Sequence, residues 1–217
     1  MTGSMLMPLK ETMHAVSSGL LIPTIAILLL FIAFMVIELG SLLVEMFTER
    51  RKVKIDVPAL LDAFQEKNAT EIIDEINSSH MFLRQKLVLK ELIKHSYLPA
   101  ASHEALARRL LASEELYYAK ITNRTDLVAR LGPMLGLMAT LIPLGPGLIA
   151  LGQGDTKTLA DSLLTAFDAT VTGLAAAGIA FAISRLRKRW YEDYLNALEA
   201  LMEGLLEVFA REKGIEE

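Results

Sequence analysis

Hydrophobic residues gather in three stretches long enough to cross a bilayer, and polar positions inside them are few. From Gly19 to Phe47 only Glu38 and Glu45 carry charge. A second stretch, LGPMLGLMATLIPLGPGLIALG, runs from Leu131 to Gly152, and a third, DSLLTAFDATVTGLAAAGIAFAIS, from Asp161 to Ser184. A hydrocarbon core of about 30 Å needs about 20 such residues in a helix. The pattern therefore predicts an all-α membrane protein with transmembrane helices over 19–47, 127–152 and 158–185. An N-terminal segment (1–18), a helical region (48–126), a short loop (153–157) and an amphipathic tail (186–217) complete the chain.

Basic residues fix the orientation. Arg50, Arg51, Lys52 and Lys54 follow the first span, Arg124 and Arg130 precede or open the second, and Arg185, Arg187, Lys188 and Arg189 follow the third. The 153–157 loop has only Lys157 and the N-terminal segment only Lys10. The N-terminus and the loop are expected outside the plasma (inner) membrane, with 48–126 and the tail in the cytoplasm. The first twenty residues lack the basic start of a signal peptide, so the first span is expected to remain in the mature protein.

The cytoplasmic region reads as helices: ALLDAF after Pro58, then ATEIIDEI, FLRQKLVLKELIKH and SHEALARRLLASEELYYAKI, with Asn68, Ser78-Ser79 and Pro99 between them. The last is expected to run into the second span, with a break near Gly132-Pro133. In the tail, Tyr191, Tyr194, Leu195, Leu198, Leu201, Met202, Leu205 and Phe209 recur at helical spacing. That face must cover cytoplasmic helices of its own or a neighbouring subunit.

Composition narrows the function. The chain has 217 residues, 53% hydrophobic and 22% charged, so it combines spans with a substantial aqueous part. It has no cysteine, which excludes disulfides, thiolate metal sites and cysteine nucleophiles. The net charge of −4, with no basic patch interleaved with aromatics, does not suggest nucleic acid. His14, His80, His95 and His103 lie outside the spans without metal-ligand spacing and read as solvated surface residues. No serine elbow, phosphate-cradling loop or catalytic carboxylate pair stands out, so no enzyme and no cofactor are expected.

Chemistry concentrates on the second and third spans. Thr140 shares a helical face with Gly132, Gly136, Pro143 and Gly147, and Thr170 shares one with Ala166, Gly173, Ala177, Ala180 and Ser184. Small residues at this spacing let another helix approach closely in lipid, so Gly132, Gly136, Gly147, Ala166, Gly173, Ala177 and Ala180 read as a packing surface for a partner helix, and a hydroxyl there offers hydrogen bonding where water is scarce. On roughly the opposite face of the third span lie Thr158, Asp161, Thr165, Asp168 and Thr172, within about 80° at helical spacing. Asp161 near the outer end reads either as an interfacial residue or as an ion entrance. Asp168, about two turns deeper, reads either as part of an ion route or as a hydrogen-bonded lock between helices. Beyond Thr172 the same face becomes Ala175, Ala176, Ile179 and Ile183, so the polar path stops half way. Glu38 is either buried or reaches toward the cytoplasmic interface.

These residues resemble those of the MotA/TolQ/ExbB proton-channel family. The second span matches its Leu-Gly-Leu-Leu-Gly-Thr pattern at Leu135, Gly136, Leu137, Met138, Ala139 and Thr140, and the third matches through Ala166, Thr170, Gly173, Leu174 and Ala177. One span before the cytoplasmic insertion and two after it looks like the ExbB and TolQ branch. The resemblance implies a homopentamer whose second and third spans line a lumen. That lumen would be occupied by helices of a single-pass ExbD-, TolR- or MotB-like partner bearing an aspartate. It also implies that Thr140 and Thr170 face that aspartate, and that ion flow turns one set of subunits against the other. Two departures stand out: Thr165 occupies the family's glutamate position with Asp168 one turn on, and Gly178-Ile179 replace the family's Ile-Pro. The expected function is the channel subunit of an ion-motive-force-driven motor, carrying protons or sodium ions. Two alternatives are a non-conducting membrane scaffold and a stand-alone passive channel.

Overall fold

The computed structural model describes residues 11–13, 15–49, 56–66 and 69–214. Among them every regular element is helical: α1 (Leu21–Val44), a π-helical turn (Glu45–Glu49), α2 (Val57–Glu66), α3 (Ala69–Ser78), α4 (Leu83–Lys94), α5 (Ala100–Gly152) and α6 (Thr156–Glu212). Three helices are long and apolar enough to cross a membrane: the stretch Glu11–Phe47 that includes α1, then α5 and α6. The chain divides into two compact units, Met1–Ser41 with Asn123–Arg185, and Leu42–Thr122 with Leu186–Glu217. Both long helices contribute to each unit.

Helix α5 contradicts the break expected at Gly132-Pro133. It continues through Pro133, Pro143 and Pro146 without interruption. Each proline removes one backbone donor, but in an apolar surrounding every remaining carbonyl still needs a helical partner. Continuing the helix therefore costs less than ending it. The turn that follows is short. Gly154 takes φ +83°, a left-handed conformation open to glycine, and Asp155 caps α6. The Asp155 carboxylate accepts from the Thr158 hydroxyl (2.5 Å) and the Thr158 amide (3.1 Å), and these bonds hold its pKa below the usual range.

In the unit built from the spans, α5 and α6 pack at their small residues. A Cβ added at Gly132 would lie 2.8 Å from the Gly173 carbonyl oxygen, and one added at Gly173 would lie 2.6 Å from that of Gly132. Gly147 meets Ser162 in the same way further out. Helix α1 closes the unit. Met35 packs with Val128, Ala176 and Ala180, and Leu28 packs with Ala139 and Ala169.

In the other unit, the tail of α6 buries Leu198, Leu201, Met202, Leu205, Val208 and Phe209 with Leu60, Phe64, Ile72, Ile76, Val88, Leu89 and Leu92. The amphipathic face of the tail thus covers the short helices α2–α4 of its own chain. Close packing reaches the backbone, since a Cβ on Gly204 would stand 2.3 Å from a Leu61 methyl group. Polar groups brace the core. Gln85 accepts from the Phe82 amide at the start of α4 and donates to the Tyr194 carbonyl. His103, expected at the surface, is instead 2% exposed, with its Nε2 2.9 Å from the Leu92 carbonyl oxygen. Its position on the inner face of α5 follows from the same periodicity as Ala107. His80 is exposed, His95 is half-buried beside Glu91, and His14 lies outside the described residues.

Candidate ion pathway

The α5–α6 seam separates the polar residues of the spans into two groups. Thr170 stands half-buried at one lip, its hydroxyl 3.2 Å from the Ala166 carbonyl oxygen and 3.5 Å from that of Gly136 across the seam. Thr140 is also half-buried, and its hydroxyl donates to Leu137 at 2.6 Å. Leu135 and Ile142, on the same helix, face α1. At helical spacing Thr140 lies about 140–160° round from them, on the side away from α1.

The acidic group lies on the α1 side. Thr165, Asp168 and Thr172 line a groove of about 210 Å³ with Ile25, Leu28 and Leu29 of α1. A second groove of about 360 Å³ continues toward the α5–α6 turn, lined by Thr158, Asp161, Ser162 and Thr165 with Leu21, Pro143 and Pro146. Thr165 belongs to both. Asp161, Thr165 and Asp168 are exposed in the single chain and Thr172 is half-buried.

Within the seam itself, Gly132, Gly136, Gly147, Ala166, Gly173, Ala177 and Ala180 are buried. Gly136 lies against Thr170 and Gly173, and Gly132 against Gly173 and Ala177. Their small size is used between two helices of one chain. The two helices approach closely at this level.

All four threonine hydroxyls spend their proton on a carbonyl of their own helix: Thr140 on Leu137, Thr165 on Asp161 at 3.0 Å, Thr170 on Ala166, and Thr172 on Asp168 at 2.7 Å. A hydroxyl so engaged presents lone pairs outward. It can accept from a protonated carboxylic acid or from the water of a hydrated cation.

At the end away from the α5–α6 turn the seam closes on a polar contact that the sequence did not reveal. The buried Ser184 hydroxyl donates a short hydrogen bond to Asp126. A signal for it existed: Ser184 ends the Thr170 stripe, and Asp126 and Ser184 each lie 29 residues from Asp155 in the turn. Glu38, open between two readings, is half-buried and interacts with other groups of the chain.

Two further clusters brace the other unit. Arg187 and Glu45 form an ion pair at 3.2 Å, with side chains 4% and 14% exposed. Arg84 grips the buried Glu114 through two bonds of 2.7 and 2.9 Å and lies 3.6 Å over the Tyr117 ring. Tyr118 and Tyr191 stack at 4.5 Å. Burial pushes the Tyr118 hydroxyl up to about 12 and raises Tyr191 as well, where Glu45 adds to the effect.

A helical protein with three candidate spans, two long helices joined by a tight turn, and polar lips along their seam has the form of a membrane channel subunit. The sequence pattern that defines the MotA/TolQ/ExbB proton channel family matches residues 74–200, which is more than half of the chain and includes the second and third spans. The chain belongs to the MotA/TolQ/ExbB proton channel family. No individually curated protein matches it at a significant level.

Proposed function

We propose that this protein is the channel-forming subunit of a membrane motor driven by an ion gradient. It works as a ring, read as a pentamer, around the helices of a single-pass ExbD- or TolR-like partner. The observation that carries this reading is Asp168. Its carboxylate is exposed on the single chain at a depth where lipid would surround it. A charge facing hydrocarbon costs a few kcal/mol, so this face must meet water or another protein chain. In a member of a proton channel family, an ion route is the economical use for it.

Thr140 and Thr170, on the lip away from α1, take the place of acceptors for the partner's protonated carboxyl group. Asp161, Thr165, Asp168 and Thr172 take the place of the outer access route along α1. One charge moving through 100 mV releases about 2.3 kcal/mol, so each mechanical step draws on several ions. The small-residue seam sets Thr170 beside Gly136, one turn from Thr140, which supports a closely packed bearing for a turning helix.

The test is ion uptake by proteoliposomes holding this protein and a single-span partner with one intramembrane aspartate, read with a pH-sensitive dye. Thr170→Val and Asp168→Asn are each expected to lower partner-dependent proton uptake at least tenfold with assembly intact. Undiminished uptake in both variants removes the channel assignment. Uptake without any partner would instead identify a passive channel.

A further inference from the structure

The cytoplasmic parts of α5 and α6 each leave one charged face uncovered, and the two faces are opposite in sign. On α5, Arg109, Leu116 and Lys120 are exposed and fall within an arc of about 40° at helical spacing. Leu116 between them is 72% exposed. Neighbouring charges do not cancel the face, because Glu104 is taken up by Arg108 and Glu115 lies about 120° round from Arg109. On α6, Glu192, Asn196, Glu199 and Glu203 are exposed within about 60°, and Arg189 closes the acidic stretch at its membrane end. Among the described residues none forms an ion pair with Arg109, Lys120, Glu192, Glu199 or Glu203.

The two faces also stand at matching heights. The His103 ring meets Phe209 at 5.7 Å and the Tyr118 ring meets Tyr191 at 4.5 Å. Both helices rise about 1.5 Å per residue, so counting from either contact puts Arg109 level with residues 200 to 203 of α6. Copies related by an axis along the membrane normal share one height. Arg109 of one copy therefore arrives opposite Glu199 and Glu203 of the next, and Lys120 within one turn of Glu192.

We propose that the exposed α5 face of one copy docks on the exposed α6 face of the next, with Arg109 set between Glu199 and Glu203 and Leu116 covered at the contact. The proposal rests on the ring reading above and specifies how neighbouring copies engage. The contact is heterologous, so repetition about one axis closes it into a ring. Exposed ion pairs contribute modestly to affinity but strongly to register, because a shifted neighbour sets like charges together.

The absence of cysteine gives a clean test in the full-length protein. The Arg109→Cys/Glu203→Cys variant, treated in membranes with a short bis-maleimide, is expected to give a ladder of covalent oligomers, while either single variant stays uncross-linked. Arg109→Glu and Glu203→Arg are each expected to lower the yield of oligomer on native mass spectrometry severalfold, and their combination to restore it. That rescue separates lost pairing from misfolding. An intact oligomer with no cross-link in the double variant, or cross-linking of a single variant, overturns this interface and leaves the ring standing. A monomeric wild-type protein overturns both.

Discussion

Glycines at the α5–α6 seam and glycines elsewhere on the same helices are chemically alike but not interchangeable. A Cβ on Gly173 would lie 2.6 Å from the Gly132 carbonyl oxygen and 3.0 Å from the Gly136 Cα, both backbone atoms that cannot rotate aside. Gly178, five residues on, has nothing within 4 Å. Gly173→Ala is therefore expected to destabilise the protein by about 1–3 kcal/mol, as overpacking does, whereas Gly178→Ala stays within about 0.5 kcal/mol of wild type. Thermal unfolding in detergent measures both, and equal behaviour of the two variants would contradict the seam. The helical wheel identified the small stripes and both threonines from sequence. It could not say what lies against them, because a wheel gives a face and not its neighbour. For the same reason Asp126 went unread: its partner Ser184 is 58 residues away.

The elements show a similar division. Hydrophobic periodicity placed the short helices α2–α4 and the tail, since their apolar faces are local facts. Continuity through Pro133, Pro143 and Pro146 was not local, because it depends on the apolar surroundings that make an interrupted helix costly. His103 was misplaced because histidine alone does not reveal burial; its register on α5 with Ala107 and Glu114 does. Where α1 ends, Glu45 opens a π-helical turn and pairs with Arg187 of α6. Both side chains are nearly buried, so removing one leaves an uncompensated charge. Arg187→Leu is expected to cost about 3–5 kcal/mol, and Arg187→Leu combined with Glu45→Leu to recover most of that loss. Denaturation midpoints of the two variants check it. A double variant no more stable than the single would mean that the pair is not the principal link.

At the scale of the whole molecule, the proposed ion route depends on which end of the acidic groove meets the outside. Asp161 lies seven residues nearer the α5–α6 turn than Asp168, about 10 Å along the helix. If the turn is outside, an ion enters past Asp161 and reaches Asp168 before the polar face ends at Thr172. If it is inside, the same groove is an exit. Four basic residues after the first span and four after the third, against Lys157 alone in the turn, favour the first arrangement. Single cysteines decide the matter, because the natural chain has none to interfere. Gln153 in the turn and Glu212 at the end of the tail are both exposed, so a probe can reach either without unfolding. A membrane-impermeant maleimide added to intact cells is expected to label Gln153→Cys and to spare Glu212→Cys until the membrane is opened. The reverse pattern would invert the chain and make the carboxylates the last polar groups an inward-moving ion meets.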